Sequence, residues 1–315
     1  MKKLYTVIRV LLSISLALMI FLSFSCEKKK EITIGFVMKT LSNPFFIQMK
    51  EGAENEAKRH KDIKLEIQAT QEETDIEQQR QIIETMITKG VEAICITPND
   101  SKGIVPVIVK ANKKRIPVAI VDTKVDSDEL SKQGGQIATF IGSDNVQGGM
   151  LAADGLAAAL GGKGKIVILE GVPGQETAIS RKEGFLTKIA EYPGIKAVAS
   201  QSAYWTREEA YSVAQTLLTG HPDLNGIFAS NDEMALGAAR AVQDAGKKVV
   251  IIGFDFTPDG KAAIKNGLIY GSVAQFPSEM GRIAVLSVVR LAKGETVPND
   301  QPTKVRLMTA KDITE

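Results

Sequence analysis

At 315 residues, 44% of them hydrophobic and 24% charged, the chain has globular composition with ample core-forming material. Its length accommodates one large domain or two of ordinary size. The formal net charge of +2 overstates its basicity, because setting aside Lys2, Lys3 and Arg9 in an N-terminal targeting segment leaves 36 basic residues against 37 acidic ones. The basic residues form no long stripe, which argues against a nucleic-acid partner.

The targeting segment comes first in the chain. A basic start leads into an apolar run from Val10 to Phe24, about 15 residues and short of the ~20 that a bilayer span needs. Residues 1–25 therefore read as a secretory signal. Leu22-Ser23-Phe24-Ser25-Cys26 resembles a bacterial lipobox, with the leucine four residues before the cysteine rather than three. The expectation is lipidation at Cys26, with residues 26–31 as a solvated tether. Cys95, the other cysteine, lies in the apolar run Ala93-Ile94-Cys95-Ile96 and reads as a buried core thiol. No intramolecular disulfide is expected.

From residue 32 onward, short aliphatic runs alternate with amphipathic stretches. Strands are predicted at 32–37, 65–69, 93–97, 117–121, 138–142, 165–169, 196–200, 226–229, 249–253 and 269–275. Helices are predicted at 44–59, 75–89, 103–114, 145–160, 207–218, 232–245 and 279–292. This alternation implies an α/β fold of parallel sheets built from right-handed βαβ units. Ten strands over roughly 280 residues fit two doubly wound domains better than one, since single cores stop growing near that size. No Gly/Ser- or Pro-rich linker separates the halves, so the boundary is expected at a direct crossover near Gly142-Ser143-Asp144-Asn145.

The first strand is the most informative. Lys39 follows it, and Asn43-Pro44 then opens a helix carrying Phe45 and Phe46. In open α/β sheets ligands bind at the carboxyl ends of strands. A cation, an amide and two aromatic faces there suit a small polar ligand with apolar faces, such as a sugar. Other predicted strands also end in polar side chains: Asp122, Asn231-Asp232, Asp255 and Gln275. Taken singly, each is explained by helix capping or turn formation. Four together with Lys39 point to a shared site. Arg181, near the start of a helix, reads by itself as a surface residue. Trp205, the sole tryptophan, reads equally as a helix-flanking core anchor or a ligand-stacking ring.

Catalytic signatures are missing. His60 and His221 lie in polar surroundings and form no metal-ligand cluster. There is no GxSxG, HExxH or phosphate-binding GxxxxGK[ST] motif. Gly161-Gly162-Lys163-Gly164-Lys165 precedes a strand instead of following one and reads as a loop. The strand-end carboxylates have no activated nucleophile beside them, so no cofactor and no enzymatic activity are expected.

With those motifs in order along residues 32–315 (KTLSNPFF, the Asp122 region, GSDNVQGG, NDEMALGA, VVIIGFDFTPDG and SVAQFP), the chain resembles the periplasmic sugar-binding proteins of bacterial ABC importers, in their ribose/allose branch. Lys39, the loop after Asp122 with Lys132-Gln133-Gly134-Gly135, and Tyr204-Trp205 lean toward the allose-binding members. The resemblance implies the type I periplasmic binding protein fold, two Rossmann-like domains joined by a three-segment hinge. It places the N-terminal domain at 32–143 plus 276–304 and the C-terminal domain at 144–275 plus 305–315. It also implies a pocket of Lys39, Asn43, Phe45, Phe46, Asp122, Arg181, Trp205, Asn231, Asp255 and Gln275. Thr123 departs from the pattern, standing where ribose binders have arginine and allose binders glutamate.

The implied function is capture of a monosaccharide, an allose-like hexopyranose or ribose, and delivery to an ABC permease. The protein would be secreted across the cytoplasmic membrane and act as a monomer in the periplasm or on the outer face of a membrane, touching a membrane only through the Cys26 anchor. A sensory role, docking on a chemoreceptor or sensor kinase, is the alternative. A secreted sugar-modifying enzyme using Asp122 and Asp255 is disfavoured, and the N-terminal signal replaces the helix-turn-helix that a LacI-type regulator needs.

Overall fold

A computed structural model describes residues 31–313; the signal segment and Cys26 lie outside the described residues. The first five strands are β1 (Ile32–Met38), β2 (Ile63–Ala69), β3 (Ala93–Ile96), β4 (Val118–Val121) and β5 (Thr139–Ser143). Between them run α1 (Pro44–Ala57), α2 (Ile76–Lys89), α3 (Val105–Lys113) and α4 (Ser127–Lys132). The next five strands are β6 (Lys163–Glu170), β7 (Gly194–Ser202), β8 (Leu224–Ala229), β9 (Val250–Asp255) and β10 (Gly271–Ala274). They alternate with α5 (Asn145–Ala159), which precedes β6, and with α6 (Glu176–Ile189), α7 (Arg207–Gly220), α8 (Asp232–Asp244) and α9 (Pro258–Lys265). The chain ends with α10 (Pro277–Ala292), β11 (Asp300–Thr303) and β12 (Arg306–Thr309).

Two six-stranded sheets result, ordered β2-β1-β3-β4-β5-β11 and β7-β6-β8-β9-β10-β12. All pairings are parallel except that of β12 with β10. The strand order reverses between β1 and β3 and again between β6 and β8. At such a switch point neighbouring connections leave on opposite faces and open a crevice beyond the carboxyl ends. The chain passes between the sheets three times, after β5, after β10 and after β11.

Each sheet is covered on both faces, so its inner strands are buried and largely apolar, while the edge strands carry polar residues. On one face of the first sheet, Ile34, Phe36 and Met38 meet Met49 and Ala53 of α1 and Ala284 and Val288 of α10. On the other, Val37, Ile94 and Ile96 pack on Ile83 and Met86 of α2 and Ile108 of α3. The second sheet sits likewise between α5 with α6 (Leu156, Phe185) and α7 with α8 (Leu217, Met234). Cys95 is a fully buried thiol, and burial pushes its pKa up.

The structure adds elements that the sequence pattern did not predict. β11 and β12 are four-residue edge strands, the first containing Pro302, so neither carries a hydrophobic period. α4 and α9 are too short for one, at six and eight residues. α6 begins at Glu176, a turn before the start that the sequence places near Arg181, and it carries Gly184 in its interior. That glycine has a packing reason, since a Cβ there would lie 2.0 Å from the carbonyl oxygen of Val146 on α5. Gly149 on α5 meets the carbonyl oxygen of Arg181 on α6 in the same way, at 2.1 Å. Backbone-to-backbone contact thus fixes the height of Arg181. Gly149→Ala should separate the two helices and destabilise the protein by about 1–3 kcal/mol, measurable by urea denaturation.

Candidate functional site

The carboxyl ends of both sheets face one narrow cleft. Lys39, Asn43, Phe45, Phe46, Glu73 and Asp122 form the wall on the first sheet's side, and Arg181, Trp205, Asn231 and Asp255 form the other. Nine of the ten residues picked out in the sequence therefore line one cavity. The tenth, Gln275, stands behind it and donates from Nε2 to Asp255 Oδ1 at 2.7 Å.

Helix entry builds the first wall. Asn43 caps α1, its side-chain oxygen accepting from the Phe45 amide at 3.0 Å, while its Nδ2 donates to Glu73 Oε1 at 3.1 Å. Phe45 and Phe46 meet edge to face at 5.1 Å. The Lys39 side chain is 2% exposed, so its ammonium needs partners. It donates to Thr123 Oγ1 at 2.7 Å and Gln175 Oε1 at 3.1 Å, and pairs with Asp122 Oδ2 at 3.4 Å. Two hydrogen bonds and one ion pair thus meet the buried charge. Thr123 is equally engaged: its hydroxyl donates to Asp122 Oδ2 at 3.0 Å and is bonded to Thr177 Oγ1 at 2.7 Å. The threonine that departs from the ribose and allose patterns is thus the hub that ties Lys39 to Asp122.

On the second wall, the buried Arg181 donates from Nε to Asn145 Oδ1 at 2.9 Å and from Nη1 to the Ser230 carbonyl at 2.6 Å. It also lies 3.5 Å from Asp255 Oδ1. Its guanidinium stacks 3.8 Å from the centre of the Phe254 ring and 5.5 Å from that of Trp205. Burial raises the Asp255 pKa well above its ordinary value, with the Arg181 charge and the Gln275 amide opposing the rise. Burial likewise lowers the Arg181 pKa, against the pull of Asp255. The guanidinium remains charged, because its intrinsic pKa exceeds 12. Arg181, which alone reads as a surface residue, is instead interior. Asn231 is both cap and wall: its side chain accepts from the Met234 amide at 2.8 Å and donates to the Trp205 carbonyl at 3.1 Å. Trp205 likewise joins both roles, packing in the core of the second sheet while its ring faces the cleft.

Sequence reasoning missed two contributors, Gln175 and Glu73, and the supporting role of a third, Asp232. Gln175 lies just before α6 and uses its whole amide. Oε1 accepts from Lys39 and from Trp205 Nε1 at 2.8 Å, while Nε2 donates to the Asn99 and Glu73 carbonyls at 2.8 and 3.4 Å. Glu73 lies in the polar loop after β2, where nothing in the pattern separates it from its neighbours Glu72 and Thr74. Asp232 reads as a helix-cap neighbour but is fully buried. It accepts from the Thr257 amide at 2.7 Å, Thr257 Oγ1 at 3.0 Å and Ser272 Oγ at 2.6 Å. Ser272 Oγ in turn accepts from the Phe256 amide at 3.0 Å.

That network holds an unfavourable backbone. Asp255 and Phe256 have φ of 106° and 57°, and Asp122, Tyr204 and Trp205 have 67°, 51° and 66°. Such conformations cost about 1–3 kcal/mol each and persist where the surroundings dictate them. Here they turn Asp122, Trp205 and Asp255 into the cleft. Together the walls carry two cations, three carboxylates and aromatic faces, an arrangement suited to a small polyhydroxylated molecule.

Comparison with known proteins gives a consistent result. The sequence model of a family described as periplasmic binding protein domain matches residues 34–296. The ribose import binding protein of Bacillus subtilis (strain 168) is 36% identical over 312 residues, covering 95% of this chain and 98% of the relative. The D-allose-binding periplasmic protein of Escherichia coli (strain K12) is 35% identical over 283 residues, covering 89% and 91%. Among solved structures, a periplasmic solute-binding protein of an ABC transporter from Actinobacillus succinogenes, with bound D-allose, superposes with a TM-score of 0.83 at 40% identity. That match covers 89% of this chain and 98% of the other.

Burial lifts the Asp232 carboxyl to about 6 from an ordinary 3.8. The folded protein therefore binds a proton there more tightly than the unfolded chain does. Its contribution favours folding below about pH 4 and is lost as pH rises through 6, a span of roughly 3 kcal/mol. The stability difference between wild type and Asp232→Asn, measured by denaturation across pH 3.5–7.5, should change in that direction within that window.

Proposed function

The chain belongs to the periplasmic binding protein domain family, and on that premise we propose that it is the sugar-capturing component of an ABC-type importer. It takes a monosaccharide between its two lobes and presents it to a membrane permease. One observation carries this reading: carboxylates and aromatic rings from the strand ends of both sheets converge on one small cleft. A pyranose has apolar C–H faces to lie against Phe46 and Trp205 and hydroxyls to meet Asp122, Arg181 and Asp255. Each hydrogen bond to a charged partner contributes roughly 1.5–3 kcal/mol. The homologues are sugar-binding transport proteins, and the same role, without catalysis, is the reading adopted for this chain.

We read residues 32–143 with 276–304 as one lobe and 144–275 with 305–315 as the other. Their strand membership supports this division, with β11 on the first sheet and β12 on the second. A ligand touching both lobes binds the closed form better than the open one, and that difference drives closure. The protein assists through Gln175, which stands before α6 yet bonds Lys39 and the Asn99 carbonyl on the opposite side. A periplasmic location follows from the family. The proposed monomeric state, and a lipid anchor at Cys26, rest on the resemblance and the lipobox-like segment; labelled palmitate incorporation tests the anchor.

A thermal-shift screen with allose, ribose, galactose, glucose, xylose and psicose tests the function. A ligand at 100 times its Kd adds about 2.7 kcal/mol, and an aldohexopyranose such as allose is expected to give a larger shift than ribose. Asp122→Ala and Arg181→Ala should each abolish binding; normal titration of either variant would refute the pocket. Gln175→Leu removes the bond to the chain's only indole. It is expected to move the single indole N–H resonance in a 15N spectrum and to weaken sugar binding by about tenfold or more.

A further inference from the structure

Resting on the sugar-binding reading, we propose that Glu73 determines specificity, accepting a hydrogen bond from the exocyclic hydroxymethyl group of a hexopyranose. The presence of Lys39 argues for a hexose in the sequence, but its ammonium is occupied by Thr123, Gln175 and Asp122. Two of its N–H groups are engaged by protein acceptors and its charge faces Asp122, so a second group is needed to read an extra hydroxyl.

Glu73 has the capacity. Its Oε1 accepts from Asn43 Nδ2 at 3.1 Å, and its Oε2 has no hydrogen-bond partner among the described residues. Asp122 and Asp255 each present one such oxygen as well. The cleft thus offers three carboxylate oxygens that seek donors, and sugar hydroxyls supply them. Position separates their tasks. Glu73 borders both the cleft and the wider space outside it beside Tyr204 and Arg207, whereas Asp122 and Asp255 border the cleft alone. The ring hydroxyls accordingly meet the two aspartates, and a substituent directed at the mouth meets Glu73.

Burial raises the Glu73 carboxyl above its ordinary range, with Lys39 and Asn43 pulling it down. A donor from the ligand offsets the cost of holding it charged. A pentopyranose lacks the carbon that bears this hydroxyl and leaves Glu73 half satisfied, and sites built to bond a hydroxyl discriminate strongly against analogues without it.

Isothermal titration with the tightest-binding aldohexose of the screen, its 6-deoxy analogue and ribose tests the assignment. Wild type should bind the hexose at least about tenfold more tightly than its 6-deoxy form. Glu73→Ala should remove that preference while leaving the affinities for 6-deoxyhexose and ribose within about threefold. Glu73→Gln, which retains an acceptor, should fall between. Equal binding of hexose and 6-deoxyhexose by wild type, or an equal loss for all three sugars in Glu73→Ala, overturns the assignment and leaves the sugar-binding reading standing. Failure of wild type to bind any monosaccharide overturns both.

Discussion

Removing the Lys39 ammonium from water costs several kcal/mol unless each of its protons finds an acceptor, and the cleft is organised around meeting that demand. Asp122 and Thr123 answer from the end of β4, and Gln175 answers from the segment before α6. Because Gln175 also receives the Trp205 indole and donates to the Asn99 carbonyl, satisfying one buried charge fixes both walls relative to each other. The Phe46 ring, 5.7 Å from the ammonium, adds a weaker attraction. Lys39 is therefore a structural cation as much as a surface for ligand.

The carboxylates depend on the same economy of satisfied groups. Asp255 sits in a backbone conformation that non-glycine residues rarely adopt. It stays there because Asp232 ties down Thr257 and Ser272, and Ser272 accepts from the Phe256 amide. Arg181 is positioned by α6, whose approach to α5 is set by Gly149 and Gly184 meeting carbonyl oxygens of the partner helix. Strain at the cleft and close packing behind it belong together, since a rigid support is what lets an unfavourable φ persist.

These features bear on how a hinged protein can be selective. The cleft contains bonds that belong to the protein alone, such as Lys39 to Gln175 and Thr123 to Thr177. A ligand then adds only the differential contacts that tip the balance. Specificity is left to acceptors with a free oxygen, and a ligand with one hydroxyl too few leaves such an oxygen unpaired.

Much of this was legible in the chain. The βα alternation, the apolar strands and the polar residue after each strand end identify a doubly wound fold and its ligand-binding edge, because period and capping chemistry are local properties. Asn43, Asn231 and the strand-end aspartates could be found this way. β11, β12, α4 and α9 could not, being too short to carry a period, and the contact of Gly184 with Val146 is one that local propensity does not register. Gln175 and Glu73 lay in polar loops without a distinguishing pattern. The sequence by itself determined the fold class, the two-domain scale and the chemistry available at the strand ends. Only the tertiary structure decided that Lys39 is already engaged by Thr123, Gln175 and Asp122, that Arg181 is buried and that Glu73 faces the cleft, because these depend on which groups from distant segments meet once water is excluded.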